Sequence, residues 1–315
     1  MPVAEGQCNH SDFLYSAFAL TIASEIPLPD LPPGSGAADI KISIGVLAPT
    51  PLPSDSWTVI AGPADVRGWI PGAGAFRVTG GREIIVAPIA DGDERTLQLA
   101  IVGPLLGVIL SQRSSFVIHA STVVIGGCAV AFCGPSGRGK STLAAALLRA
   151  GNPLLADDMT VVDTSGGFPL VRPGFPRIKL WPDSAAALNH DIGKLPLLHP
   201  ERTKRSLRVP ARFHADTVPL RRCYLLEDAA TESIAELSPT QSILSLVKYT
   251  YQSNWLHETC ESGSNLLQCG ALAGSGVVRQ LRRRRSFEAL PEVIRCIEDD
   301  IRCASGRFNV DGERR

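Results

Sequence analysis

The order of hydrophobic and polar positions divides the chain into a β-rich first part and a mixed second part. Apolar residues alternate with other residues at positions 39–46, which predicts a half-buried strand. Residues 76–86 form two apolar segments around a glycine pair, which predicts a β-hairpin. Residues 94–113 carry apolar side chains near helical spacing. We therefore predict a small β-rich domain at residues 1–95 and a second domain at residues 96–315.

A second hairpin is predicted in the second domain, after the helical segment. Residues 116–125 and 128–133 are almost continuously apolar or β-branched and are separated by two glycines. Such a pattern is typical of two buried antiparallel strands joined by a tight turn. When the register is counted outward from the turn, His119 lies beside Gly134.

A nucleotide-binding motif follows this hairpin. Residues 134–141 read GPSGRGKS and fill every fixed position of the P-loop (Walker A) pattern G-x-x-x-x-G-K-[ST], and residues 142–150 predict a helix. Glycines let backbone N–H groups face phosphate oxygens, while the helix N-terminus and Lys140 attract negative charge. The Ser141 hydroxyl is placed to ligate Mg²⁺. We predict a site for ATP and Mg²⁺ formed by Gly134, Pro135, Ser136, Gly137, Arg138, Gly139, Lys140, Ser141 and Thr142.

Two consecutive carboxylates narrow the chemistry. Asp157 and Asp158 follow a short apolar segment, seventeen residues after Lys140. Ligands of open α/β sheets bind beyond the carboxyl ends of the strands, so both side chains are expected to face the nucleotide. One carboxylate can hold Mg²⁺ while the other orients or deprotonates an acceptor hydroxyl. The alternative is a single metal-binding aspartate beside a surface neighbour, and His119 is either a functional partner of the pair or a structural histidine.

Basic residues supply further candidates. Arg177, Lys179, Lys204 and Arg205 are candidates for gripping substrate or stabilising transition-state charge, although each alone is typical of a solvated surface charge. Residues 282–285 read RRRR. Because no aromatic residues interleave with these arginines, we interpret the run as a solvent-exposed strand end.

Composition excludes several classes of protein. Of 315 residues, 44% are hydrophobic and 20% are charged, which is typical of a soluble globular chain. Lys plus Arg and Asp plus Glu both number 31, and this zero net charge argues against nucleic-acid or membrane partners. Eight cysteines without a Cys-x-x-Cys pair indicate reduced thiols. The first basic residue is Lys41, so no basic start of a signal peptide is visible, and we predict a cytoplasmic protein. Formation of a homo-oligomer is left open.

Taken together, FVIHASTVV, GPSGRGKS and LLADD resemble the HPr serine kinase (HPr kinase/phosphorylase) family, whose fold is related to phosphoenolpyruvate carboxykinase. The resemblance implies an α/β fold with a P-loop core and a mixed sheet. It also implies that Asp157 is the base for an acceptor serine, that Asp158 assists with Mg²⁺, and that His119 supports them. The segments SEIPLPDL and PGFPRIKLWPDS are similar to a divergent branch that includes lasso-peptide precursor kinases. The glycine-rich RGLGI segment of the bifunctional members is absent, so phosphorylase activity is not implied.

The leading functional hypothesis is an ATP- and Mg²⁺-dependent serine kinase acting on a protein or peptide. The acceptor would be an HPr-like protein or a lasso-peptide precursor. A small-molecule P-loop kinase is the first alternative, although its loop usually lies near the start of the chain. A nucleotide-binding ATPase or regulatory module is the second, although no LSGGQ-like segment appears.

Overall fold

The structure is a computed structural model that describes residues 13–47, 54–199, 202–251 and 262–305. The described residues form a mixed α/β fold with sheets of seven, nine and three strands. The strands are β1 Phe13–Ala17, β2 Leu20–Ser24, β3 Ile40–Ile44, β4 Thr58–Ala61, β5 Asp65–Ile70, β6 Gly74–Thr79, β7 Glu83–Pro88, β8 Phe116–Ile118, β9 Ala120–Ile125, β10 Cys128–Cys133, β11 Leu154–Ala156, β12 Thr160–Asp163, β13 Leu170–Arg172, β14 Arg177–Leu180, β15 Leu197–His199, β16 Arg202–Arg208, β17 Val218–Asp228, β18 Ser233–Glu236 and β19 Val278–Arg283. The helices are α1 Glu94–Ala100, α2 Leu106–Gln112, α3 Lys140–Arg149, α4 Pro182–Ala187, α5 Pro239–Tyr249, α6 Ser262–Gly274 and α7 Leu290–Ser305.

The seven-stranded sheet contains the strands that precede α1, in the order β1-β2-β3-β7-β6-β5-β4. The alternating strand predicted at residues 39–46 is confirmed as β3, in which Ile40 and Ile42 are buried and Lys41 is exposed. The predicted hairpin is confirmed as β6–β7, but Thr79 pairs with Glu83, so three residues and not the glycine pair alone form its turn. The period of two is therefore correct for Ile40 and Ile42, whereas Ile44 at the end of the strand and Val46 beyond it are exposed.

The helical segment after this sheet is continuous but changes its winding. A π-helical segment, Ile101–Leu105, joins α1 to α2 and contains Pro104, which has no backbone N–H to donate. Apolar side chains from this segment pack in one cluster with the seven-stranded sheet. Among the described residues, Glu94–Gln112 is the one helix whose length and composition would allow a membrane crossing. Of its most apolar stretch, 67% is buried inside the protein. The domain boundary expected between residues 95 and 96 stays a prediction. The helix that follows this boundary packs with the seven-stranded sheet that precedes it.

The nine-stranded sheet contains the second predicted hairpin. The register is confirmed: Ile125 pairs with Cys128, and Ala120 pairs with Cys133. The first predicted strand is divided, however, because β8 pairs with β12 whereas β9 pairs with β10 and β11. His119 is the residue between β8 and β9. The division places this histidine at a break in the sheet, where it belongs to neither of the two strands.

Helices cover β10 on both faces, and this buries the strand that leads into the nucleotide-binding motif. Ala131 and Cys133 pack with residues of α5 and α6, and Val130 and Phe132 pack with residues of α3 and α7. β17 lies parallel to β10, and β19 lies parallel to β17. The carboxyl ends of these three parallel strands therefore lie at the same edge of the sheet.

The three-stranded sheet has the order β14-β16-β15. β16 is polar along most of its length, so hydrophobic periodicity does not reveal it. Its apolar contacts come from long basic side chains and from Leu207, which packs beside a buried cluster. Lys204, for example, places its Nζ 5.0 Å from the centre of the Trp181 ring.

Candidate functional site

A glycine-rich loop, residues 134–139, connects β10 to the start of α3. Gly137 and Gly139 have φ angles of 78° and 77°, in the left-handed region that favours glycine. A Cβ on Gly139 would also lie 2.9 Å from the guanidinium of Arg283. No side chain caps the N-terminus of α3. The first N–H groups of this helix therefore remain available to an anion.

Lys140 folds back over the glycine-rich loop. Its side chain is buried, and Nζ donates to the carbonyl oxygens of Gly134, at 2.8 Å, and Pro135, at 3.1 Å. Burial lowers the pKa of Lys140 from its ordinary value, although nearby anionic groups, including Asp158 and Asp157, oppose this shift. A phosphate group would offer this ammonium stronger acceptors than the two carbonyls.

Asp157 lies directly beside the loop serine. Its Oδ1 accepts from Ser141 Oγ at 2.9 Å and from Ser121 Oγ at 2.6 Å, and its Oδ2 accepts from the backbone N–H of Lys179 at 2.9 Å. The residue is only 7% exposed. Sequence reasoning missed Ser121, whose signal is a hydroxyl within an otherwise apolar buried strand, one residue beyond the pairing partner of Cys133. Asp157 is thus an enclosed carboxylate with contacts on both oxygens.

Asp158 faces a different group of side chains. Its Oδ2 lies 2.6 Å from Lys179 Nζ, and its Oδ1 lies 3.4 Å from His119 Nδ1. Burial opposes ionisation, but Lys179 and His119 outweigh it and hold the pKa of Asp158 well below its usual range. Its φ of 76° is in the left-handed region, and its side chain is 28% exposed. Asp158 is therefore an ionised carboxylate that a ligand can reach.

His119 is held by the backbone on both sides. Its N–H donates to the carbonyl oxygen of Tyr249 at 2.7 Å, and its Nδ1 lies 3.0 Å from the carbonyl oxygen of Asp158. A carbonyl can only accept, so Nδ1 carries the proton in the neutral ring. Burial is the main cause that lowers the pKa of His119, and the Asp158 carboxylate opposes it. The structure thus places the predicted histidine against the aspartate pair as a neutral donor.

The positions of the two aspartates bear on their expected roles. The family resemblance implied that Asp158 assists with Mg²⁺ and that Asp157 is the base, and the P-loop motif placed Ser141 at the metal. In the structure, Asp157 and not Asp158 contacts Ser141. The two neighbouring side chains point in different directions, and Asp158 has a left-handed backbone.

The four basic candidates make different contacts in the structure. Lys179 contacts the aspartate pair, and Lys204 lies near enough to influence Asp158 electrostatically. Arg177 is 2% exposed, and its Nη1 lies 2.5 Å from Asp30 in the loop after β2. Arg205 donates to the carbonyl oxygen of Leu195 and supports the three-stranded sheet. Arg177 and Arg205 thus make structural contacts, and the substrate or transition-state roles of the four residues stay predictions.

The arginine run also departs from its prediction as a solvent-exposed strand end. Arg282 and Arg284 are exposed and paired with glutamates, as such an end would be. Arg283 is buried, and Arg283 and Arg285 donate to carbonyl oxygens of the glycine-rich loop. Nothing in the local sequence indicates this contact, because the contacting residues are 145 and 148 positions apart.

The side chains around Ser141 fit a magnesium ion. A hydroxyl and a carboxylate oxygen lie 2.9 Å apart at the end of the glycine-rich loop. Mg²⁺ prefers oxygen ligands and is usually held by one or two carboxylates together with substrate phosphates. The described ranges contain no cluster of three or more His, Cys, Asp or Glu side chains able to hold a metal by themselves. The oxygen set suits a metal that arrives with a phosphorylated substrate.

Comparisons with known proteins give a structural relationship only. No family model and no curated protein matches the chain. Sixty-two chains of solved structures match it. One of them is the HPr(Ser) kinase/phosphatase from Coxiella burnetii, with 14% sequence identity, a TM-score of 0.34, and coverage of 60% of this chain and 99% of that chain. These values do not assign the chain to that family.

Proposed function

We propose that this chain is an ATP- and Mg²⁺-dependent kinase that phosphorylates a serine hydroxyl on a protein or peptide. One observation carries the proposal. The glycine-rich loop adjoins two carboxylates in different environments, with Asp157 enclosed against Ser141 and Asp158 partly exposed beside Lys179. A phosphoryl-transfer enzyme needs both an oxygen set for its metal and a reachable carboxylate for its acceptor.

The triphosphate of ATP would occupy the glycine-rich loop. Backbone N–H groups of the loop and of the first turn of α3 would bind phosphate oxygens. Lys140 would exchange the carbonyl oxygens of Gly134 and Pro135 for the phosphate oxygens. This lysine keeps the loop compact without a ligand and adds positive charge when the ligand is present.

Ser141 and Asp157 would hold Mg²⁺, which supplies neutralisation of charge on the phosphate oxygens when bound. Ser121 and the Lys179 N–H already fix the orientation of the Asp157 carboxylate. Orientation of a metal-binding carboxylate by such hydrogen bonds is a general property of metal sites.

Asp158 would accept the proton of the acceptor serine. The serine oxygen forms a bond to the γ-phosphorus of ATP, and the bond from that phosphorus to the β–γ bridging oxygen breaks. ADP leaves with that electron pair, and the hydroxyl proton passes to Asp158. His119 and Lys179 hold the Asp158 side chain in place. General-base assistance of this kind requires a carboxylate within reach of the hydroxyl.

The remaining parts of the hypothesis concern context. We propose a core of the HPr-kinase type, an HPr-like protein or a lasso-peptide precursor as the acceptor, and a cytoplasmic location. Residues 1–95 would act as an accessory domain. The acceptor would approach the exposed side of Asp158, since Asp157 is enclosed.

The decisive experiment is incubation of the full chain with γ-labelled ATP, Mg²⁺ and a panel of acceptors. The panel contains an HPr protein, a precursor peptide and a set of small hydroxyl compounds, and products are identified by mass spectrometry. We expect phosphate on a serine of a polypeptide and none with a Lys140→Ala control. Hydrolysis of ATP without transfer would instead support an ATPase module, and transfer to a small compound alone would support a small-molecule kinase.

The pKa of His119 predicts a pH dependence. Because burial lowers this pKa below 6.5, the ring is neutral at pH 7, and kcat/KM should fall only on the acidic side of 6.5. Protonation would add a positive charge near Lys140 and strengthen the hold on Asp158, which weakens the base. Since the unfolded chain binds this proton more readily, folding stability should also decline as the pH falls below 6.5.

A pH profile of initial rates measures this effect, with His119→Asn as the comparison. In that variant the acidic limb should disappear while a lower rate remains. An unchanged acidic limb would show that another group controls it.

A further inference from the structure

The four arginines at residues 282–285 alternate between two kinds of partner. Arg282 lies 2.8 Å from Glu227, and Arg284 lies 2.9 Å from Glu232. Arg283 and Arg285 have no carboxylate within ion-pair distance among the described parts of the chain. Successive side chains of a strand point to opposite faces, so β19 and its extension direct one pair outward and the other pair toward the glycine-rich loop.

The second pair binds the loop through its backbone. Arg285 donates from Nη2 to the carbonyl oxygen of Gly137 at 2.7 Å, and Arg283 donates to the carbonyl oxygen of Arg138. Arg283 is 4% exposed, and its Nε has no hydrogen-bond partner. Burial of a guanidinium with an unused N–H and no paired carboxylate lowers the stability of the fold. A role of Arg283 at the loop would account for its retention.

These contacts orient two successive peptide groups. In a planar trans peptide the C=O and N–H bonds point in opposite directions. Bonds to the carbonyl oxygens of Gly137 and Arg138 therefore fix the directions of the N–H groups of Arg138 and Gly139, at the opposite edge of each peptide group. The Arg138 N–H donates to the carbonyl oxygen of Pro135 at 3.3 Å and closes the turn, and the Gly139 N–H is directed away from the carbonyl that Arg283 binds. Inward-facing backbone N–H groups of a glycine-rich loop form an anion-binding concavity.

We propose that Arg283 and Arg285 are positioning residues that set the glycine-rich loop for phosphate. They fix two peptide planes from outside and add positive charge behind them. The inference rests on the proposed function, because it takes phosphate to be the ligand of the loop. It extends that function by assigning to the end of β19 a role in the affinity for the phosphate chain rather than in phosphoryl transfer.

The test measures binding of MgADP and of inorganic pyrophosphate with Mg²⁺ by calorimetry, together with KM and kcat. We expect Arg285→Ala to weaken both ligands about tenfold, the effect of losing one hydrogen bond to a charged donor, and to raise the KM for ATP with little change in kcat. Arg285→Lys keeps the charge and one donor and should recover part of the loss. Arg283→Ala should act in the same direction.

Arg282→Ala and Arg284→Ala are matched controls, because they remove the same charge from the same run without removing a loop contact. Both should bind both ligands like the wild type. Equal weakening in these controls would overturn the proposal by showing a general charge effect, and unchanged binding by Arg285→Ala would overturn it directly. Weakening of MgADP alone would also overturn it, since it would indicate contact with the nucleoside.

The outcome also separates the inference from the proposed function. A wild-type chain that bound neither ligand would refute both. A wild-type chain that bound both ligands but transferred phosphate to no acceptor would refute the kinase, and loss of binding in Arg285→Ala would still support the role of the arginines.

Discussion

The Asp158→Asn variant is expected to lose at least about a hundredfold in kcat for phosphoryl transfer, while its affinity for MgADP stays close to that of the wild type. General-base assistance contributes on the order of 10²–10⁴ in rate, and an amide cannot accept the serine proton. Asp158 makes no contact with Ser141, so its loss should leave the metal oxygens in place. Single-turnover transfer and calorimetric titration with MgADP measure the two quantities separately.

Asp157→Asn is the matched comparison and should show a different pattern. The amide would place its NH2 group either where Oδ1 now accepts from Ser121 and Ser141 or where Oδ2 now accepts from the Lys179 N–H. We expect weaker binding of MgADP and a higher requirement for Mg²⁺. If Asp157→Asn abolished transfer with normal binding and Asp158→Asn did not, the base would be Asp157, as the family resemblance implied.

The second large effect concerns stability. Asp30→Ala is expected to lower the free energy of unfolding by about 3–5 kcal/mol, the usual cost of leaving one partner of a buried ion pair uncompensated. Arg177 is 2% exposed, and Asp30 also pairs with Arg95 at 3.0 Å. Burial opposes ionisation of Asp30, but the two arginines outweigh it and lower its pKa. Its contribution should therefore be present above the ordinary pKa of 3.8 and be lost as the pH falls toward the lowered value.

A double variant tests this explanation. Arg177→Met removes the buried charge with a side chain of similar length, and Asp30→Ala combined with Arg177→Met should cost less than Asp30→Ala alone. Urea unfolding followed by circular dichroism gives the change in the free energy of unfolding for each single variant and for the double variant. A double variant at least as unstable as the sum of the single variants would show that the charge on Arg177 is not the cause.

The same ion pair connects the seven-stranded sheet with the site. Arg177 begins β14, and two residues later Lys179 contacts both aspartates. Loss of Asp30 should therefore reduce activity in the folded fraction as well as stability. The contact gives the first part of the chain an influence on the position of Lys179.

Local sequence was sufficient for the elements that surround the nucleotide-binding motif. The hairpin register follows from one glycine turn and two apolar segments, and β10 and α3 follow from hydrophobic runs. These features depend on residues near one another in the chain, for which turn chemistry and periodicity are direct physical signals.

The features that sequence did not reveal depend on distant partners or on side-chain direction. Asp30 and Arg177 are 147 residues apart, and no pattern near either residue indicates the other. Arg283 and Arg285 look like any charged strand end until β19 is placed beside β17 and β10. The adjacency of Asp157 and Asp158 likewise does not say which of them faces Ser141 or that Asp158 has a left-handed backbone angle.

That angle restricts what can replace Asp158 over evolution. At a φ of 76°, glycine, asparagine and aspartate are accommodated far more readily than residues with larger or branched side chains. Of these three residues, only aspartate can accept a proton. The backbone angle and the proposed chemistry are therefore both compatible with aspartate. In the proposed kinase, replacement of Asp158 by asparagine or glycine would suit this backbone and remove the base, so a single substitution would separate nucleotide binding from phosphoryl transfer.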